Sequence, residues 1–211
     1  MSDVTVFGYP QSTYVRTVRM SLEEKGIPYA LEPVDLKAPE YRKRHPFAKM
    51  PAFQHADVNL YETSAITRYI DEVFDGASLQ PTDTAARADM NRWISAINDY
   101  LYAAMVRRYV LEYVFPSGKD GAPDRDKINA AMEDIGYQLG VLDGDLDGRK
   151  YLAGDSLSLA DLFLAPIAYY LSNMPESKQA LENVNNVKAW HDAMAQRPSY
   201  TQTVPPPPPG A

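Results

Sequence analysis

Cysteine is absent from the 211 residues. That removes disulfides, thiol nucleophiles and thiolate-held metals together. Histidine is scarce: His45, His55 and His191 stand far apart in sequence. A histidine-based metal site or catalytic triad is therefore poorly supported, and no serine lies in a G-x-S-x-G frame. Long apolar runs are missing as well; none approaches the roughly 18–20 residues of a membrane span. The opening residues, Met1-Ser2-Asp3-Val4, lack a basic stretch followed by an apolar one. No secretory leader is expected, and a cytoplasmic location is. Positive charge is in deficit: 21 Lys and Arg against 28 Asp and Glu leave a net charge of −7. That balance disfavours nucleic acid as a partner.

What remains describes a globular chain. Hydrophobic residues make up 45% of it, too many for disorder. Its length suffices for one large domain or two small ones. Val4-Thr5-Val6-Phe7 is a short β-rich run ended by Gly8-Tyr9-Pro10. A helix is expected from Thr13 to Lys25, stopped by Gly26 and Pro28. Tyr29 to Val34 is a second strand candidate, followed by a loop and short helix from Lys37 to Arg44. The stretch His45 to Ile70 reads as loop, proline, strand, tight turn at Asp57 and Asn59, strand, then helix. The apolar stripe of that helix is Ala65, Ile66, Tyr69, Ile70 and Val73. By periodicity alone this order, β-α-β, α, β-β-α, gives an α/β unit. Asp75 to Thr84 is polar with glycine and proline, the best domain boundary. Past it the strands stop. One long helical pattern runs from Ala85 to Phe115, another from Asp124 to Leu146, and Leu162 to Leu171 is apolar nearly all round, as a buried helix would be.

Several short segments carry chemistry. A helix opening at Glu62-Thr63-Ser64, just after a strand, presents unpaired N–H groups that suit a carboxylate. A cis bond at Met50-Pro51 would turn the Met50 main chain out of the sheet toward a ligand. Ser12, where strand meets helix, is either a helix cap or a hydroxyl donor to a ligand. The tyrosines Tyr100, Tyr102, Tyr109 and Tyr113 form a stripe at helical spacing, an arrangement that more often fills a core. Asp143-Gly144-Asp145-Leu146-Asp147-Gly148 mimics the start of a calcium loop. Gly154 occupies the twelfth position, where a bidentate Glu is needed, so the segment is read as a polar turn. Ser158 and Asp161 have the spacing of a reciprocal helix cap.

The run His45-Pro46-Phe47-Ala48-Lys49-Met50-Pro51-Ala52-Phe53, followed by Leu60-Tyr61-Glu62-Thr63-Ser64-Ala65-Ile66-Thr67-Arg68-Tyr69, resembles the glutathione-binding half of the glutathione transferases. Their pattern is close to N-P-x-G-x-V-P-x-L, a turn, then L-x-E-S-x-A-I-x-x-Y. Ala48 stands for the usual Gly, Met50 for Val and Thr63 for Ser. Gly154-Asp155-Ser156-Leu157-Ser158-Leu159-Ala160-Asp161 and the ending Trp190, Met194, Arg197-Pro198 are similar to the family's second half.

The resemblance is to a bacterial, serine-type member akin to the phi class. It implies a thioredoxin-like N-terminal domain (1–78), a linker (79–86) and an all-helical domain (87–200) with an electrophile pocket. A mobile Pro-rich tail (201–211) follows, and the active site lies in the cleft between the domains. It implies a glutathione transferase in which the catalytic hydroxyl of Ser12 stabilises the thiolate, with Thr13, Tyr9 and Tyr14 as rivals. Thr63 and Ser64 would take the γ-glutamyl carboxylate, Glu62 the amine side, and Met50 with Pro51 the cysteinyl backbone. Lys49, with Arg42 nearby, would take the glycine carboxylate. Gln11, Tyr14, Tyr102, Met105 and Tyr109 are the pocket candidates. Asp161 is structural. Glutathione is a cosubstrate, no cofactor is held permanently and no metal is expected. Partners are glutathione, a small hydrophobic electrophile and a second copy in a homodimer, with no nucleic acid and no membrane. Isomerisation, dehalogenation or ether cleavage on the same site is the alternative chemistry. A non-catalytic carrier of apolar ligands is the alternative of another class.

Overall fold

Val4 and Val6 point to one face of a short strand and Phe7 to the other, and this alternation sets the centre of the sheet. The structure, a computed structural model, describes residues 3–206. It divides into two units, one formed by residues up to Gln80 together with those from Ala195 on, the other by Pro81–Met194.

In the first unit β1 (Val4–Phe7) lies between β2 (Ala30–Glu32) and β3 (Ala52–His55), with β4 (Val58–Tyr61) outside β3. β2 runs parallel to β1, while β3 and β4 run antiparallel to their neighbours. α1 (Thr13–Lys25) and α2 (Thr63–Val73) cover the valine face. Val15, Val18, Leu22, Ile66 and Ile70 pack there with Val4, Val6 and Phe53. Each such side chain, fully buried, is worth roughly 1.5–3 kcal/mol. Of the expected α2 stripe, Ile66 and Ile70 are buried, whereas Ala65 and Val73 face solvent. A one-turn helix over Pro39–Lys43 brings Tyr41 against Phe7, Val34 and Ala52 on the opposite face. Gly26 ends α1 in the left-handed region (φ 66°), where glycine carries no steric cost.

Two ionic networks fasten α1. Lys25 pairs with Asp71 of α2 at 2.8 Å, both side chains buried, and Asp71 also accepts the Leu79 N–H at 2.7 Å. Glu24 accepts from Arg197 and Ser199. The Arg16 guanidinium, buried within α1, donates to the Tyr200 carbonyl at 3.0 Å and to the Thr203 hydroxyl at 3.3 Å. These bonds correct the expected boundary: residues 195–200 join this unit rather than the helical one, and Thr203 is buried rather than part of a mobile tail. A buried guanidinium needs acceptors, and the segment around α9 (Pro198–Thr201) supplies them. The rest of the expected tail, 207–211, lies outside the described residues.

The second unit is all helical. The division at Gln80 falls inside the expected linker, and α3 (Thr84–Ala96) begins soon after. Where one regular helix was expected from 85 to 115, a π-helical stretch (Ile97–Val110) separates α3 from the short α4 (Leu111–Val114). Apolar periodicity does not report the winding of a helix, so that change was not legible. α5 (Arg125–Asp145) follows, capped by Asp124. α6 (Leu159–Asn173) is buried over most of its length and opens on Ser158. Asp161 accepts from the Ser158 N–H (2.9 Å), the Ser158 hydroxyl (2.8 Å), the Leu152 N–H (2.9 Å) and Trp190 Nε1–H (2.9 Å). α7 (Pro175–Leu181) and α8 (Asn185–Ala195) complete the unit. The calcium-like segment has structural partners: Asp143 accepts the N–H groups of Asn186 and Val187 at the start of α8, and Asp145 accepts from Arg92 and Trp93. Among the described residues no helix is long and apolar enough to cross a membrane.

Candidate active site

Strand register gathers the candidate residues at one end of the sheet. Phe7 pairs with Ala52, and Ala52 with Tyr61. The end of β1, the start of β3 and the end of β4 are therefore neighbours. Just beyond them come Gly8-Tyr9-Pro10 leading into Ser12, Met50-Pro51, and Glu62-Thr63 opening α2. The Met50-Pro51 peptide is cis. Met50 lays its side chain over the end of β1, its sulfur 3.5 Å from the Tyr9 nitrogen. Its own N–H and C=O have no hydrogen-bond partner among the described residues. Gly8 is required by close approach, since a Cβ there would fall 2.4 Å from Val15 Cγ2.

Ser12 is the N-cap of α1, its main chain extended and its Oγ 3.4 Å from the Val15 nitrogen. In that role the oxygen accepts a bond from Val15 and keeps its own proton to donate. The cap and the donor to a ligand are compatible functions of one hydroxyl. Of the rivals, Tyr9 donates its hydroxyl to the Val34 carbonyl at 2.6 Å, and Thr13 is buried. Gln11 and Tyr14 flank Ser12, both half-buried.

At the opening of α2, Glu62 is the N-cap residue, with φ 70° and ψ 116° and no side-chain cap bond. A glutamate in that region stores about 1–3 kcal/mol of backbone strain. The first N–H groups of a helix have no acceptor within it, and Thr63, the first residue of α2, is buried. Glu62 and Lys49 are both exposed, and neither enters an ion pair among the described residues. An unpaired acid, an unpaired base and a helix N-terminus beside an open main-chain segment suit an extended zwitterionic peptide.

The loop carrying Lys49 is held from below. The Tyr41 hydroxyl donates to the Lys49 carbonyl at 2.7 Å, and burial pushes the Tyr41 phenol up to about 12. Arg42 donates to the Pro46 carbonyl at 3.3 Å and keeps an exposed guanidinium. Arg44 stacks on the Phe7 ring and bonds Gln54. Ala48 adopts φ 50°, which explains why the family pattern has glycine there. His45 is a further departure from that pattern: it stands where the pattern has asparagine, and its ring is buried.

The helical-unit candidates separate. Tyr102 is half-buried, with the Arg107 guanidinium over its ring, and burial pushes its phenol up. Met105 and Tyr109 are wholly buried, in the core rather than on an accessible wall. The Tyr109 hydroxyl donates to Glu176 at 2.9 Å and accepts the Ser177 N–H at 3.1 Å. That places Tyr109 in a structural network with Tyr113, which also donates to Glu176.

A thioredoxin-like unit followed by an all-helical unit is the fold of the glutathione transferases. The model for the glutathione S-transferase N-terminal domain matches residues 6–78, and that for the C-terminal domain matches 102–198. Glutathione S-transferase 1 of Triticum aestivum is 31% identical, over 94% of this chain and 92% of its own. Glutathione S-transferase 3 of Zea mays is 32% identical, over 99% and 98%. The structure of glutathione S-transferase I from mais, in complex with an atrazine glutathione conjugate, superposes with a TM-score of 0.85 at 28% identity, over 95% of each chain. The chain belongs to the glutathione S-transferase family and is an enzyme of that family. These relatives are plant proteins and lend no support to the bacterial origin expected from the sequence.

Proposed function

We propose that the enzyme transfers the thiolate of glutathione to small apolar electrophiles, with the Ser12 hydroxyl donating to the sulfur. The supporting observation is the position of that hydroxyl: at the N-terminus of a thirteen-residue helix, capping Val15 while its proton is uncommitted. A free thiol has a pKa of about 8.5 and is mostly protonated at neutral pH. A hydroxyl donor and the positive end of a helix both favour the anion. Each pKa unit removed corresponds to about 1.4 kcal/mol. The thiolate then attacks an electrophilic carbon, the new S–C bond forming as the leaving group departs with its electron pair or the electrophile accepts it. Ser12 forms no covalent bond; it stabilises charge.

The remaining roles follow the ligand's own charges. The γ-glutamyl carboxylate sits on the α2 N-terminus at Thr63 and Ser64, with the Thr63 hydroxyl. Glu62 takes the ammonium. The cysteinyl main chain pairs with Met50 beside Pro51. Lys49 takes the glycine carboxylate, with Arg42 as the nearby second cation. The enzyme acts as a homodimer in this reading, and glutathione enters and leaves as a cosubstrate.

The test is an ultraviolet pH titration of bound glutathione on wild type and Ser12→Ala. Thiolate absorbance should appear well below pH 8.5 in wild type and move up by a unit or more in the variant. An unshifted thiol in both proteins, with binding intact, would overturn the role given to Ser12.

A further inference from the structure

His45 is a buried imidazole that the transfer chemistry does not use. Its main chain is fully engaged: the N–H donates to the Tyr41 carbonyl at 3.0 Å and the carbonyl accepts the Ala48 N–H at 2.9 Å. The residue is 2% exposed, and its Nδ1 is buried without a hydrogen-bond partner. The ring packs on Tyr61, centroids 5.0 Å apart, and on Phe47 at 6.3 Å. Tyr61 immediately precedes Glu62, and Phe47 lies two residues before Lys49. The imidazole therefore bridges the two segments that carry the acid and the base of the glutathione site.

We propose that His45 is a positioning residue of that site, which supports glutathione binding as the neutral imidazole and opposes it when protonated. The inference rests on the glutathione reading of Glu62, Thr63 and Lys49. Its electrostatics come from both sides of the ring. Glu62, at the start of α2, attracts an imidazolium; Lys49, on the loop of His45 itself, repels it. The other neighbours are Tyr61 on β4, against the ring, and Tyr41, which accepts the His45 N–H and commits its own hydroxyl to the Lys49 carbonyl. Burial outweighs the attraction of Glu62 and holds His45 below the ordinary imidazole range. The imidazolium needs water that the packed ring excludes, so protonation favours an arrangement in which the ring is no longer buried against Tyr61 and Phe47. Glutathione binds the packed arrangement, which presents Lys49 and Glu62 together, and by reciprocity protonation weakens binding. Asparagine, the residue of the family pattern, has no such titration.

The experiment measures the affinity of the full-length enzyme for S-methylglutathione by calorimetry at pH 7.5 and 5.0. That probe has no thiol to titrate. Wild type should lose affinity about three- to tenfold between the two pH values, well inside the one-proton limit of tenfold per unit. His45→Asn should change less than twofold across the same interval, with His45→Gln as the second variant should the first fail to fold. Glu62→Gln, where binding persists, should flatten the profile as well. Equal losses in wild type and both His45 variants, or a flat wild-type profile, would overturn the proposal while leaving the glutathione site standing. Failure of wild type to bind at either pH would remove the site reading itself.

Discussion

Replacing Lys25 with methionine should destabilise the first unit out of proportion to one surface-like residue. The ammonium lies 2.8 Å from Asp71, and the two side chains are 2% and 5% exposed. Methionine keeps the apolar stem and deletes the charge. Asp71 would retain the Leu79 N–H at 2.7 Å and the Gln80 amide at 3.1 Å, but would lose its counter-ion away from water. Breaking a buried pair from one side costs about 3–5 kcal/mol. The two remaining donors reduce this, so the expected loss is about 2–4 kcal/mol, a large share of the ~5–15 kcal/mol typical of a folded protein. Urea unfolding at one fixed protomer concentration measures it, with the slope unchanged and the midpoint lowered. The double variant Lys25→Met/Asp71→Asn removes both charges and leaves no orphan. It should lose at least about 1 kcal/mol less than the sum of the single variants. A single-variant loss below about 1 kcal/mol, or strict additivity, would refute the account of the pair as a buried fastening between α1 and α2.

Two further outcomes follow from the geometry. Ala48→Gly should raise stability by up to about 1 kcal/mol in the same urea assay, because φ 50° costs alanine about 1–2 kcal/mol and the extra entropy of unfolded glycine offsets part of the gain. Glu176→Gln should flatten the acid limb of stability. Burial would raise the Glu176 carboxyl, but bonds from Tyr113, Arg125 and Tyr109 hold it at about 2. Its folded value is depressed, so its contribution is present above the unfolded value near 4.5 and lost as pH falls toward 2. Discounted for its partly exposed side chain, the wild-type loss in excess of the variant's should be about 1–2 kcal/mol between pH 7 and pH 2.5 by chemical denaturation.

The parts of the site legible in the sequence are those whose signal is local. Ser12 before an apolar helical run, Gly26 after it, Pro51 before a strand and Thr63 after one each announce a backbone event within a few residues. The sequence also carries the reciprocal cap of Ser158 and Asp161, because both partners lie in one turn. What stayed hidden depends on distant partners. Nothing near Arg16 says that its guanidinium is met by residues 200 and 203, and a Pro-rich end by itself suggests only a tail. Tyr109 and Met105 illustrate a different limit. Helical spacing shows that they share a stripe with Tyr102, but a stripe against a core and a stripe against a ligand have the same period. Only Glu176, Ser177 and the wrapping helices assign Tyr109 to the core.

The departures from the family pattern cluster in one loop and are physically linked. Lys49 and Met50 stand at the sheet's end, and the turn that leads to them has a left-handed residue at position 48. Glycine would adopt that conformation without strain; alanine does not, so surrounding contacts must hold it. The structure supplies them: His45 accepts the Ala48 N–H, Tyr41 ties down the Lys49 carbonyl, and the His45 ring is wedged between Phe47 and Tyr61. An imidazole fills this space more completely than an asparagine would, which suits a turn that lacks glycine's tolerance. The same wedge buries a titratable group between Lys49 and Glu62. Packing that steadies a strained turn thereby places a buried imidazole beside the residues proposed for glutathione, and Ala48→Gly should relax the first without removing the second.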